Sequence, residues 1–182
     1  EIMPSLVGSE MCIRDSHIVA QMLITGLDFS NEESHSNFQS TLNRLLELNV
    51  IPIINENDTI ATQEISVGDN DTMGAIVAEN VQADLLIILS DIDGLYTGDP
   101  RNNPDAQLID TIFSITPEIK ELAGTKGTTL GTGGMITKIH AAEIAMDAGI
   151  DMIIANGTRP ELLYKILDGD KVGTKFIGRK KG

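Results

Sequence analysis

Residues 131–155 read GTGGMITKIHAAEIAMDAGIDMIIA and join a glycine-rich loop to a helical and then a strand-like pattern. Apolar residues recur every three or four positions from Met135 to Met146, and Gly149 follows, which predicts a helix over 135–148. The short apolar run that comes next predicts a buried strand over 152–155. A loop, a helix and a strand in this order form the repeating unit of an α/β domain.

The same alternation continues on both sides of this stretch, with turn residues between short apolar runs and longer periodic ones. The predicted strands are 17–25, 50–54 and 85–89. The predicted helices are 37–48, 72–81, 116–122 and 160–167, with Asp71 at the N-cap position of the second. Residues 59–67 fit a hairpin or an edge excursion, and 92–106 a long loop. The pattern predicts an α/β domain with a largely parallel sheet.

Length and composition fit one globular domain, because 182 residues with 41% apolar composition can bury a sizeable core. No apolar run approaches the roughly 20 residues that cross a bilayer, and the first residues lack the layout of a secretory signal. Cys12 is the single cysteine, so neither an internal disulfide nor a thiolate metal cluster can form within the chain. These features predict a cytoplasmic protein without membrane contact.

The formal net charge of −14 argues against nucleic-acid binding, since such proteins cover phosphates with Lys and Arg. Residues 45–100 contain many carboxylates and no Lys or Arg at all. An anionic ligand bound by that segment would need a metal ion or cations from elsewhere. A solvated acidic surface is the alternative interpretation.

The loop that opens the predicted helix, Gly131 to Lys138, has the properties of a phosphate cradle. Glycines allow close backbone approach, the amides of a first helical turn attract anions, and Lys138 lies one turn in. The run is not a Walker A loop, because it lacks the Gly-Lys-Ser or Gly-Lys-Thr ending. A flexible loop with a surface lysine is the competing interpretation.

A second polar cluster joins residues 55–58, which follow a predicted strand, to residues 68–71, which precede a predicted helix. Carboxylates accept hydrogen bonds from an ammonium group, and an Asn amide donates to a carboxylate or accepts from an amine. Such a pair of segments can bind an amino acid. Ordinary turn chemistry explains the same residues equally well.

A third cluster, Ser90-Asp91 with residues 93–100, follows the predicted strand 85–89. It could hold an adenosine group through backbone contacts and a carboxylate on the ribose, or it could be an Asp-rich connector. All three clusters fall at strand ends or helix starts, where open α/β sheets bind their ligands. The three histidines show no spacing that suggests a metal site.

Four motifs in these clusters resemble those of the amino acid kinase family. They are Ile54-Asn55-Glu56-Asn57-Asp58, Val67-Gly68-Asp69-Asn70-Asp71, Asp93-Gly94-Leu95-Tyr96-Thr97 with Asp99-Pro100-Arg101, and Gly131-Thr132-Gly133-Gly134-Met135 with Thr137-Lys138. The resemblance implies a three-layer α/β sandwich with a mainly parallel central sheet. It also implies ATP-dependent phosphorylation of the γ-carboxylate of L-glutamate to glutamyl 5-phosphate, the first step of proline biosynthesis.

The resemblance also implies individual roles. Asp58 and Asn70 would bind glutamate, Asp71 would orient catalytic lysines, and Lys138 would be one of those lysines. The residues implied to bind ATP are Ser90, Asp91, Thr132, Gly133, Gly134, Met135, Ile136, Thr137 and Lys138. Mg2+ and a homo-oligomeric state are implied in the same way.

The chain departs from the family pattern at its beginning. Family members start with a strand and a glycine-rich loop that carries another catalytic lysine, and residues 1–16 match neither. We therefore predict an unmatched leader over 1–16, a kinase domain incomplete at its N-terminus over 17–177, and a basic tail over 178–182. The alternatives are another acceptor, namely acetylglutamate, aspartate or a nucleoside monophosphate, and an inactive nucleotide-binding fragment.

Overall fold

The computed structural model describes residues 17–57, 59, 67–124 and 134–179. The chain divides into two compact units, Glu1–Gly68 and Asp69–Gly182, here called unit 1 and unit 2. Most of the range predicted as a hairpin or edge excursion, residues 60–66, lies outside the described residues. No helix among the described residues is both long and apolar enough to span a membrane.

Unit 1 is built from two parallel strands joined through helices. Its elements are β1 (Val19–Ile24), α1 (Leu27–Ser30), α2 (Glu32–Glu47) and β2 (Ile51–Glu56). The strands pair in register along their whole length, with Val19 opposite Ile51 and Ile24 opposite Glu56. A helix between two parallel strands is the βαβ connection that the alternating pattern predicted.

In unit 1, the start of α2 and the end of β2 differ from prediction in a way that the side chains explain. Helix α2 begins at Glu32 and not at 37, because Asn31 caps it by accepting the backbone N–H of Ser34 at 3.1 Å. Its first turn is polar, so apolar periodicity could not reveal it. Strand β2 runs on to Glu56, so Asn55 and Glu56 belong to the strand and not to the turn after it.

Unit 2 contains four strands and four helices among its described residues. They are α3 (Asn70–Asn80), β3 (Leu85–Ser90), β4 (Thr111–Ile112), α4 (Pro117–Gly124), α5 (Met135–Asp147), β5 (Asp151–Asn156), α6 (Leu162–Leu167) and β6 (Thr174–Phe176). The sheet order is β3-β5-β6-β4. β3 pairs parallel with β5 and β4 parallel with β6, while β5 and β6 are antiparallel. The prediction of an α/β fold with mainly parallel strands is confirmed.

The core of unit 2 lies where α3 and α5 pack together, beside the buried strand β5. Its helical residues include many alanines that are almost completely buried: Ala75, Ala78, Ala141, Ala142 and Ala145. Because the distance between packed helix axes depends on the side chains at the contact, small residues let these two helices approach closely. The alanines therefore bring together the polar residues in the first turns of α3 and α5.

The start of α3 corrects the predicted cap. Asp69, and not Asp71, is the N-cap residue: its carboxylate accepts the Thr72 backbone N–H at 2.7 Å and the Thr72 hydroxyl at 2.8 Å. Gly68 precedes it with φ +92°, a conformation that favours glycine. Asp71 is thereby placed inside the first helical turn, with its carboxylate available for a tertiary contact.

Candidate active site

The centre of the candidate site is an ion pair between the first turns of α3 and α5. The Lys138 ammonium donates to Asp71 Oδ2 at 3.0 Å. The Thr137 hydroxyl oxygen lies 2.7 Å from the same carboxylate oxygen. Two residues that are 67 positions apart in the chain, Asp71 and Lys138, thus meet at one point.

Burial distinguishes this pair from a surface salt bridge. The side chain of Lys138 is 9% exposed and that of Asp71 is 16% exposed. A buried charge without a partner is costly, so each of these groups depends on the other. The alternative interpretation of Lys138 as a surface lysine is therefore wrong. An ammonium group has three donors, and the bond to Asp71 uses one of them.

The loop before α5 is described from Gly134 onward, and Thr132 and Gly133 lie outside the described residues. Gly134 is the N-cap of α5 in an extended conformation, and no side chain caps the helix among the described residues. Met135 is half-buried, and Ile136 is largely exposed. The first-turn amides of α5 therefore have no side-chain acceptor there, which leaves them able to bind an anion.

The two predicted glutamate-binding residues are not brought together by described structure. Asp58 lies outside the described residues, and Asn70 is an exposed residue at the start of α3. At the end of β2, Glu56 Oε1 accepts the backbone N–H of Val67 at 2.6 Å. This bond joins Val67 to the end of β2, and it involves neither Asp58 nor Asn70.

Ser90 and Asp91, the predicted nucleotide contacts, lie at the carboxyl end of β3. The Ser90 hydroxyl donates to Asp91 Oδ1 at 3.2 Å. Ser90 pairs in register with Asn156 of the parallel strand β5, so both strands end at the same edge of the sheet. This is the edge at which open α/β sheets bind ligands.

Asp93, two residues beyond Asp91, organises the loops at this edge. Its Oδ1 accepts from Asn156 Nδ2 at 2.9 Å and from Arg159 at 3.1 Å, and its Oδ2 accepts from the Tyr96 hydroxyl at 3.2 Å. The hydrogen bond from Asn156 is the main reason that the pKa of Asp93 lies below its ordinary value, and burial opposes it. Burial, followed by the charge of Asp93, raises the pKa of Tyr96.

The motif that contains Asp93 also needs its glycine. A Cβ at Gly94 would lie 2.5 Å from the Thr174 hydroxyl, because the loop passes directly against β6. That hydroxyl accepts the backbone N–H of Leu95 at 2.9 Å. The backbone of the loop after β3 is thus held against Thr174 of β6.

Sequence reasoning missed Asn156 and Arg159. The available signal was their position, since Asn156 follows the apolar run 152–155 just as Ser90 follows 85–89. A surface cavity of about 480 Å³ opens beside them, with Asp93, Asn156 and Arg159 among its lining residues. Its walls combine cationic, anionic and apolar side chains.

Metal-binding side chains are not clustered in the described part of the chain. The described residues contain no group of three His, Cys, Asp or Glu side chains that could hold a metal ion. His140 is an exposed residue on α5, and its Nδ1 lies 3.9 Å from Glu143 Oε2. Mg2+ in kinase sites is usually held by one or two carboxylates together with substrate phosphates.

Comparison with known proteins identifies the family. The model of the amino acid kinase family matches residues 9–156, which is most of the chain. The chain belongs to the amino acid kinase family. The family prediction from the four motifs is confirmed.

Curated members of the amino acid kinase family resemble the chain closely over most of its length. Glutamate 5-kinase of Clostridium perfringens is 51% identical over 169 residues, which cover 91% of this chain and 63% of the relative. Glutamate 5-kinase of Proteus mirabilis is 49% identical over 162 residues, which cover 89% of this chain and 44% of the relative. The chain therefore spans between 44% and 63% of the length of these relatives.

Solved structures of other amino acid kinases share the fold at low sequence identity. The UMP kinase from Ureaplasma parvum superposes with a TM-score of 0.66 at 16% identity, covering 97% of this chain and 67% of that one. The carbamate kinase from Giardia lamblia bound to AMP-PNP gives 0.63 at 19% identity, covering 97% of this chain and 68% of that one. At these identities the likeness concerns the fold alone, and it confirms the predicted fold class.

Proposed function

We propose that the full-length gene product transfers the γ-phosphoryl group of ATP to the γ-carboxylate of L-glutamate, giving glutamyl 5-phosphate. The buried pair of Lys138 and Asp71 at the start of α5 is the structural observation that carries this proposal. The relatives named glutamate 5-kinase, at about half identity, support the choice of acceptor.

The chemistry of the reaction fits the groups that the site supplies. A γ-carboxylate oxygen attacks the γ-phosphorus, the bond from that phosphorus to the bridging oxygen breaks, and ADP leaves with the electron pair. The acceptor carboxyl is already ionised near neutral pH, so the step needs no general base. Catalysis is then mainly positioning and neutralisation of charge.

Lys138 is suited to the second task. Its ammonium is held by one hydrogen bond to Asp71, and its two further donors can bind oxygens of the phosphoryl group in transfer. The first-turn amides of α5 would add partial positive charge beside it. Donors that are fixed before the reaction stabilise developing charge without reorganisation.

Further residues are assigned to the nucleotide and to glutamate. ATP binds as its magnesium complex, so Mg2+ arrives as part of the co-substrate. Ser90 and Asp91 contact the nucleotide, and residues 132–138 bind its phosphates. Asp58 and Asn70 bind glutamate. A cytoplasmic location and a homo-oligomeric state follow from the family resemblance.

The proposal is tested by measuring ADP release from the full-length gene product with four acceptors: L-glutamate, N-acetylglutamate, L-aspartate and UMP. We expect kcat/KM for glutamate to exceed that of every other acceptor by about 100-fold or more, since unpaired polar groups in a site reject analogues strongly. A higher kcat/KM with another acceptor would reassign the substrate within the family. No ADP release with any acceptor would favour an inactive nucleotide-binding protein.

A further inference from the structure

Thr137 occupies an unusual position between two acceptors. Its hydroxyl oxygen lies 2.7 Å from Asp71 Oδ2 and 2.7 Å from the carbonyl oxygen of Gly134. A hydroxyl has one proton and can donate to only one of these at a time. Donation to the carboxylate is favoured, because a hydrogen bond to a charged acceptor is roughly twice as strong as one to a neutral acceptor.

This bond places two donors on one carboxylate oxygen. Asp71 Oδ2 receives both the Lys138 ammonium at 3.0 Å and the Thr137 hydroxyl at 2.7 Å. The terminal torsion of an Asp side chain is broad, and a Lys side chain has a flexible four-carbon stem. A second donor fixes the rotation of the carboxylate and so restricts where the ammonium can lie.

The same geometry limits what the hydroxyl can do for a nucleotide. Both oxygens within hydrogen-bond distance of Thr137 Oγ1 belong to the protein, and its one proton is already used. While the Thr137 hydroxyl donates to Asp71, it has no proton left for a phosphate oxygen, so this bond competes with a phosphate contact of the side chain. The Thr137 backbone amide stays in the first turn of α5, where it can still bind an anion.

We propose that Thr137 is a positioning residue, whose hydroxyl fixes the Asp71 carboxylate and through it the Lys138 ammonium. Its effect on turnover rests on the proposed function. The hydrogen bond itself does not, so the two are tested separately.

The kinetic test compares Thr137→Val, Thr137→Ser and Thr137→Ala in the full-length gene product, with Thr111→Val as the matched control. Thr111 is a half-buried residue of β4 and belongs to neither of the helices that carry Asp71 and Thr137. We expect Thr137→Val and Thr137→Ala to lower kcat about tenfold, the rate equivalent of one charged hydrogen bond, with KM for ATP and glutamate within about twofold. Thr137→Ser should keep more than about half of kcat, and Thr111→Val should stay within about twofold of wild type.

A thermodynamic test uses a double-mutant cycle of Thr137→Val and Asp71→Ala in urea denaturation. We expect the loss from Thr137→Val, about tenfold in the unfolding equilibrium constant, to shrink to less than about threefold when Asp71 is already Ala. Equal losses in both backgrounds would overturn the hydrogen bond. If Asp71→Ala does not fold, the kinetic comparison decides, and Thr137→Ala replaces any Thr137→Val protein that does not fold.

The outcomes separate the two proposals. A wild type that does not phosphorylate glutamate removes the proposed function, while the thermodynamic cycle still tests the bond. An active wild type with Thr137→Val equal to Thr111→Val overturns the positioning role. A raised KM for ATP with unchanged kcat overturns it as well, because Thr137 would then be a nucleotide ligand.

Discussion

Asp93 shows how one carboxylate can hold several loops at the ligand edge of the sheet in unit 2. It accepts hydrogen bonds from Tyr96 in its own loop and from Asn156 and Arg159 at the end of β5. Because these donors hold the pKa of Asp93 below its ordinary value, folding is stabilised by the ionised carboxylate. This stabilisation is complete above the unfolded pKa, near 3.8, and is lost as the pH falls through the lower folded value.

Asn156→Ala removes the donor that lowers this pKa most. We expect the variant to be less stable than wild type at pH 7, and the difference in the free energy of unfolding to narrow as the pH falls below about 4. Urea denaturation of both proteins between neutral and acidic pH measures this difference. A difference that stays constant with pH would show that Asn156 acts only through its pH-independent contacts with Thr158.

Among individual residues, the sequence drew attention to those whose type and position are an unusual combination. Lys138 was singled out because it lies one turn inside a predicted helix that opens with glycines. In the structure it pairs with Asp71. Asn156 and Arg159 were missed, because Asn, Gly and Pro around a strand end are ordinary turn residues. Only the register of β3 and β5 shows that Asn156 lies beside Ser90.

The N-terminal end of α3 is stabilised by a cap residue, Asp69. Asp69 satisfies the Thr72 amide and hydroxyl at the start of the helix that presents Asp71. Asp69→Ala should lower the free energy of unfolding by about 1 kcal/mol, the usual cost of losing a cap. Asp69→Asn, which keeps an acceptor oxygen, should lower it by less than about 0.5 kcal/mol.

Urea denaturation of wild type and both Asp69 variants checks this expectation. Equal stability of Asp69→Ala and wild type would mean that the cap contributes nothing. Equal losses in both variants would mean that the charge of Asp69, and not its acceptor oxygen, stabilises the helix.

Elements with a helical period or a continuous apolar run were predicted well, and very short or polar ones were not. The predictions 85–89, 135–148 and 152–155 correspond to β3, α5 and β5 within one residue at each end. β4 and β6 have two and three residues, too few for a period, and their pairing depends on distant neighbours. The start of α2 was missed because a polar first turn is defined by its cap.

At the scale of the whole molecule, the alternation of strands and helices predicted the fold class, and the family match confirmed it. The chain divides into two compact units at residue 68, a division that length and composition, which fit one globular domain, did not indicate. The predicted boundaries, a leader over 1–16, a kinase domain over 17–177 and a basic tail over 178–182, stay predictions. The chain covers between 44% and 63% of the length of its relatives, so activity is best measured on the full-length gene product.

The most direct measurement is trapping of the acyl phosphate product with hydroxylamine. Full-length wild type, given ATP and L-glutamate, should form γ-glutamyl hydroxamate. Lys138→Ala should form it about 100-fold to 1,000-fold more slowly, the usual cost of losing a donor that stabilises transition-state charge. Lys120→Ala, which removes an exposed ion pair with Glu143 of α5, should stay within about twofold of wild type. Hydroxamate formation without ATP, or at the wild-type rate in Lys138→Ala, would contradict the proposed mechanism.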